Sequence, residues 1–114
     1  MTTNQSDSLQ VGVHIASVIT VTVTITGRLD AVVCPAVRAE FDSRIAAGCQ
    51  HLVADLSDAS FVDSVGLAAL VKAMRDAQSA GATFEILRPF SEDAMRVFRL
   101  SKFDEVFVMT EKAS

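Results

Sequence analysis

A carboxylate, a hydroxyl and a glycine stand close together at Asp63-Ser64-Val65-Gly66-Leu67. They follow a short apolar run and open a segment of helical spacing, so they sit where a strand hands the chain to a helix. Two kinds of chemistry suit that place. Ser64 or Asp63 can cap the helix, accepting an N–H from its first turn and contributing on the order of 1 kcal/mol. Ser64 can also accept a phosphoryl group, because the free N–H groups and positive dipole of a helix N-terminus accommodate a phosphate without unfolding. That modification adds roughly −1.5 to −2 charges. Beside Asp63, such a charge repels an acidic surface or blocks close packing, a switch on binding that leaves the fold in place. From spacing alone the cap is the simpler account.

Other groups suited to catalysis are sparse. His14 lies in a predicted strand and His51 opens another, and neither has a Cys, His or carboxylate at metal-ligand spacing, so no metal site is expected. The five glycines lie far apart, with no G-x-G-x-x-G, no Walker lysine and no G-x-S-x-G elbow, so no cofactor is expected. Cys34 precedes a predicted helix, a position that favours a thiolate, but its neighbours are apolar and it lacks a histidine partner. Cys34 and Cys49 fall at opposite ends of that helix, about 21 Å apart. A disulfide needs Cα atoms roughly 4.4–6.8 Å apart, so two reduced thiols are expected. The chain reads as a non-enzyme.

The elements that position this group follow from periodicity. Val11, Val13 and Ile15 alternate with smaller or polar residues, and Ile19, Val21, Val23 and Ile25 alternate strictly with threonines. Period-2 patterns rich in β-branched residues predict strands, paired as a hairpin across the break at Ala16-Ser17. Pro35 suits the first turn of a helix. Val37, Phe41 and Ile45 form its apolar face, Arg38/Asp42 and Glu40/Arg44 its outer ion pairs, and Gly48 its end. His51 to Leu56 predicts a strand buried on both faces, followed by a loop over Ser57 to Ser60 and then Phe61-Val62. Leu67, Leu70, Val71 and Met74 mark the second helix, ended by Gly81. Phe84 to Leu87 predicts a strand broken by Pro89. Ser91 caps a third helix, with Glu92 and Asp93 in its first turn and Val97, Phe98 and Leu100 on its apolar face. Val106 to Met109 predicts a last strand. The order ββαβαβαβ predicts an α/β domain with a mostly parallel sheet and an N-terminal hairpin.

At 114 residues the chain has the length of one domain. Half of it is apolar and 21% is charged, which argues against disorder. With seven Phe and neither Trp nor Tyr, phenylalanine must supply every large ring of the core. The net charge of −4 and the scattered Lys and Arg leave no basic footprint, so direct nucleic-acid binding is not expected. No apolar run of about 18 residues predicts a membrane span, so no membrane insertion is expected. The polar start, Met1 to Asp7, has no signal-peptide pattern, which makes the cytoplasm the expected compartment.

With these elements in place, the chain resembles STAS domains, and within them the bacterial anti-anti-sigma factors (anti-sigma factor antagonists). The resemblance covers about residues 9–110, leaving 1–8 as a mobile segment and 111–114 as a polar tail. It is carried by Val21 to Asp30 with Pro35, by Leu52 to Leu70 including the D-S-x-G-L signature at Asp63 to Leu67, and by Gly81 to Phe107. The resemblance implies a regulator that binds a cognate anti-sigma factor with serine kinase activity and so frees a sigma factor. It implies Ser64 as the phosphoacceptor whose modification ends the binding, and a PP2C-type phosphatase that restores it. Asp30, Asp63, Ser64, Val65 and Gly66 are the implied partner-binding residues, with Gly66 permitting close approach. Many members carry Ser or Thr where this chain has Val65, so Ser64 is the only hydroxyl of the signature. The alternative is a STAS subunit of a larger complex, such as a partner of an ABC-type lipid-transport ATPase or a stressosome-type scaffold.

Overall fold

The structure is a computed structural model and describes residues 10–15 and 19–113. Residues 1–9, the expected mobile segment among them, and the Ala16-Ser17 break lie outside the described residues. The elements run β1 (Gln10–Ile15), β2 (Thr20–Leu29), α1 (Cys34–Ala46), β3 (His51–Asp55), β4 (Ala59–Val62), α2 (Ser64–Ser79), β5 (Thr83–Leu87), α3 (Glu92–Ser101), a short 3-10 turn (Phe103–Glu105) and β6 (Met109–Thr110).

The strands form one sheet in the order β1-β2-β3-β5-β6, with β4 also paired to β2. β1 runs antiparallel to β2, and every other pairing is parallel. The expected mostly parallel α/β sheet with an antiparallel first pair is therefore what forms. β2 is long enough to serve two partners. Its first half, Thr20 to Thr24, pairs with β3, and its last residues, Gly27 to Leu29, pair with β4. The register shifts between Gly27 and Arg28. Gly27 has φ 94°, a left-handed conformation that glycine adopts without a Cβ clash, and its N–H donates to the Asp58 carbonyl at 3.2 Å. This shift swings the end of β2 toward the start of α2.

Val21, Val23 and Ile25 turn inward from β2 while the threonines between them are partly covered, as period 2 requires. α1 and α2 pack on each other and on the sheet, and α3 packs on β4. α1 buries Val37 and Phe41, and α2 buries Leu67, Leu70, Ala73 and Ala77. Four rings knit the layers: Phe41 meets Phe84 at 6.0 Å, Phe84 meets Phe107 at 6.1 Å, and Phe107 meets Phe98 at 6.0 Å. These spacings are those of edge-to-face and tilted aromatic pairs.

The structure departs from the sequence expectations at five places. Residues 59–62 form a strand where a loop over Ser57 to Ser60 is expected, so the order is ββαββαβαβ; Gly27 to Leu29 provides the edge that recruits it. β3 is not buried on both faces. Leu52 and Ala54 are buried under the helices, whereas Val53 on the opposite face is only partly covered. Arg38/Asp42 is not an ion pair, because Asp42 meets Lys72 of α2 at 3.8 Å, while Glu40–Arg44 forms at 2.8 Å. On α3 the buried face is Ala94, Met95 and Phe98; Leu100, two residues past Phe98, points away and is 78% exposed. The last strand begins at Met109, because Phe103–Glu105 forms the 3-10 turn and Phe107 inserts into the core between exposed Val106 and Val108.

Candidate functional site

β2 and β4 end side by side, and their carboxyl ends deliver Asp30 and Asp63 to one edge of the sheet. The Asp63 N–H donates to the Leu29 carbonyl at 3.2 Å. Asp63 then adopts an extended conformation (φ −98°, ψ −176°) and caps α2, its Oδ1 accepting the Gly66 N–H at 2.8 Å. Capping therefore falls to Asp63. Ser64 becomes the first helical residue, exposed, and its hydroxyl makes no hydrogen bond among the described residues.

Gly66 is buried, and its missing side chain is explained within the chain. A Cβ there would stand 2.5 Å from the Leu29 carbonyl oxygen and 2.9 Å from Leu29 Cγ. The room that Gly66 gives is occupied by the end of β2, which locks the first turn of α2 to the strand. Val65 faces outward and is 41% exposed.

Asp30 closes the turn after β2. Its Oδ1 accepts the Val32 N–H at 3.2 Å and its Oδ2 lies 3.5 Å from Arg28 Nε. The Arg28 guanidinium stacks on Phe61 of β4 at 4.3 Å from the ring centre. The turn thrusts Val32 into solvent, 86% exposed. Of the sequence-predicted residues, Asp30, Asp63, Ser64 and Val65 thus gather at the surface of one edge, and Gly66 lies beneath them.

Two shallow grooves flank Ser64 and Asp63. One, of about 590 Å³, runs along α2 from Ser64 past Leu67 and Val71 to Phe103 and Arg75. The other, of about 430 Å³, lies between β4 and α3 and is lined by Phe61, Asp63, Arg96, Val97 and Leu100. Both have largely apolar walls beside a polar rim, the usual anatomy of a surface that receives a protein partner.

Asp55 is a feature that sequence reasoning missed. This carboxylate closes β3 and is buried. Its Oδ1 accepts the Ser57 N–H at 2.9 Å and the Ser57 hydroxyl at 2.7 Å, and its Oδ2 meets Lys112 Nζ at 3.0 Å. Burial alone pushes its pKa up, but the bonds from Ser57 and Lys112 together outweigh burial and hold it below the usual aspartate value. The expected polar tail is therefore tied down at Lys112, over the loop that leads into β4. The available signal was a lone acid ending an apolar strand, Leu52-Val53-Ala54-Asp55.

Cys34 and Cys49 are both free and buried. Burial raises both thiol pKa values; at Cys34 the charge of Asp63 adds to it, Arg38 opposes it and Asp30 adds further. The two carboxylates of the edge thus share one neighbour, and the thiol they surround stays protonated. The His51 ring pairs through Nδ1 with the Thr83 hydroxyl at 2.7 Å. Among the described residues no group of three or more His, Cys, Asp and Glu could hold a metal, and no helix is long and apolar enough to cross a membrane.

Comparison with known proteins places the fold. The family model for the STAS domain matches residues 11–113. An anti-sigma factor antagonist from Mycobacterium paratuberculosis superposes with a TM-score of 0.82 at 24% identity, over 96% of this chain and 92% of that one. The anti-sigma factor antagonist SpoIIAA in its unphosphorylated form superposes with a TM-score of 0.79 at 21% identity, over 92% of this chain and 90% of that one. The phosphorylated form of the Bacillus cell fate determinant SpoIIAA gives a TM-score of 0.73 at 22% identity, over 92% and 93%.

Proposed function

The chain belongs to the STAS domain family, and from that premise we propose that it is an anti-sigma factor antagonist switched by phosphorylation of Ser64. The unmodified protein binds a cognate anti-sigma factor that is also a serine kinase, and so frees a sigma factor in the bacterial cytoplasm. The Ser64 Oγ attacks the γ-phosphorus of ATP held by that kinase. An O–P bond forms, ADP leaves, and the hydroxyl proton passes to a base of the kinase. A PP2C-type phosphatase later transfers the phosphoryl group to water, returning the serine and inorganic phosphate.

The observation that carries this reading is the division of labour at the start of α2. Asp63 already caps the helix, so the exposed Ser64 hydroxyl is not needed for the fold. A phosphate at the first helical position also lies where the free N–H groups and dipole tolerate it. Its charge would fall beside Asp63 and Asp30, between two apolar grooves, and binding to those grooves would then require burying a dianion at their rim. The likeness to the antagonists from Mycobacterium paratuberculosis and to both forms of SpoIIAA supports the same role. All the catalytic groups of the cycle belong to the kinase and the phosphatase.

The test is incubation with the cognate anti-sigma kinase and ATP, followed by intact-mass measurement. One phosphate is expected on the wild-type chain and none on Ser64→Ala. Phosphate incorporation that survives Ser64→Ala would overturn the assignment.

A further inference from the structure

The two ends of the sheet are built differently. β6, at one end of the strand order, is two residues long and is followed by Glu111 and Lys112. Shortness and charge are usual means of keeping an edge strand from pairing with another chain. β1, at the other end, is six residues long and pairs with β2 in an unbroken register from Gln10 opposite Thr26 to Ile15 opposite Val21. It contains no proline and no Asp, Glu, Lys or Arg. Among the described residues no strand pairs with its outer side. The alternate N–H and C=O groups of β1 that do not face β2 are therefore open to a further strand.

The apolar layer of the sheet also runs out at β1 instead of closing there. Val11 and Val13 stand opposite Ile25 and Val23, on the face that the helices cover. Ile25 and Val23 are fully buried, whereas Val11 is half-buried and Val13 is 36% exposed. On the other face, a Cβ built on Gly12 would meet only Thr24 Cβ, at 3.9 Å, so nothing crowds that position from outside.

The strand is complementary to itself. Residues directly opposite in an antiparallel pair share a face, and a twofold axis through Gly12 or Val13 makes β1 its own antiparallel neighbour. The axis at Gly12 sets Val11 against Val13 of a second copy, and the axis at Val13 sets Val13 against Val13. Either way the valine row continues across the seam, and no like charges meet within it although each copy has a net charge of −4. β1 lines neither groove beside Ser64, so each copy would keep its own switch edge.

We propose that β1 is a self-association edge, through which two copies of this chain pair antiparallel over Gln10–Ile15 into a twofold dimer with one continuous sheet. The proposal rests neither on phosphorylation of Ser64 nor on an anti-sigma partner.

The test is sedimentation velocity of the full chain from micromolar to millimolar concentration, with amide hydrogen exchange on the same samples. A reversible monomer–dimer equilibrium is expected, and alternate amides of β1 should exchange more slowly as the dimer forms. Val13→Lys should weaken the dimer about tenfold or more, because it places a charge at the seam. Its amide signals outside β1 should match the wild type, since the half-open position lets the lysine reach water. The wild-type exchange pattern decides the matter even if that variant fails to fold. A chain that stays monomeric over the whole range overturns the proposal and leaves this edge to a strand of another protein. A dimer whose β1 amides exchange as fast as in the monomer overturns it as well, as does one undiminished in folded Val13→Lys.

Discussion

The Leu29 carbonyl oxygen stands 2.5 Å from where a Cβ on Gly66 would be, and the same oxygen accepts the Asp63 N–H at 3.2 Å. One backbone atom at the end of β2 therefore sets the entry of α2. Gly66→Ala cannot fit without moving either element, since the nearest atom is backbone and not the tip of a flexible side chain. The expected cost is about 1–3 kcal/mol, the range for overpacking. For a domain of this size each kcal/mol lowers Tm by about 4 °C. Thermal unfolding checks it; an unchanged Tm would show that the first turn of α2 is free to shift.

Asp63 and Ser64 are adjacent, but they should differ in a stability measurement. Asp63→Ala removes the acceptor of the Gly66 N–H and should cost about 1 kcal/mol. Ser64→Ala removes a hydroxyl with no partner among the described residues and should fall within about 0.5 kcal/mol of wild type. Ser64→Asp should be as stable as wild type, because it adds a negative charge at a helix N-terminus, and yet bind the anti-sigma factor more weakly. Urea unfolding and a binding titration on the same three variants separate cap from switch. A large loss of stability in Ser64→Ala would mean that the serine serves the fold.

Asp55 makes the protein sensitive to acid, and the sign follows from its environment. Its pKa is lower folded than unfolded, so its contribution is complete above the unfolded value. That contribution is lost as pH falls through the folded value, when the carboxylate protonates and releases Ser57 and Lys112. Asp55→Asn should cost about 1–3 kcal/mol at neutral pH and flatten the fall of stability between neutral and acid pH. Lys112→Met should do less, because the lysine is partly exposed and solvent screens the pair. Urea titrations at a series of pH values read this out; a wild-type acid slope in Asp55→Asn would refute the assignment.

What the sequence revealed, and what it hid, divides by the range of the interaction. The threonine alternation of β2, Pro35 at the start of α1, Ser91 at the start of α3 and the Asp63-Ser64 junction are local signals, and each lies where periodicity and capping chemistry put it. The β4 strand was hidden because its partner is the far end of β2, reached across a register shift that no local pattern announces. Leu100 was misplaced because apolar type alone does not fix an azimuth on a helix as short as α3. The Asp55–Lys112 pair joins residues 57 positions apart in sequence. At Gly66 the letter was visible but the reason was not, since the atom it avoids belongs to Leu29.

Val65 and Leu100 are exposed apolar side chains on either side of Asp63, and Leu100 lines the groove between β4 and α3. Leu100 is 78% exposed, so Leu100→Ser should leave stability within about 0.5 kcal/mol of wild type, whereas Val65, 41% exposed, should cost about 1 kcal/mol as Val65→Ser. If the anti-sigma factor docks across this edge, each loses apolar area that the complex buries. Removing most of such a side chain from a desolvated interface centre costs on the order of 1–2 kcal/mol, which corresponds to roughly a five- to thirtyfold weaker complex. A rim position would show almost no change. Titration of each variant against the anti-sigma factor, with Ser64→Asp as reference, therefore maps the centre of the interface. Loss in Leu100→Ser places it over the β4–α3 groove, loss in Val65→Ser alone places it along α2, and wild-type affinity in both would remove this edge from the partner surface.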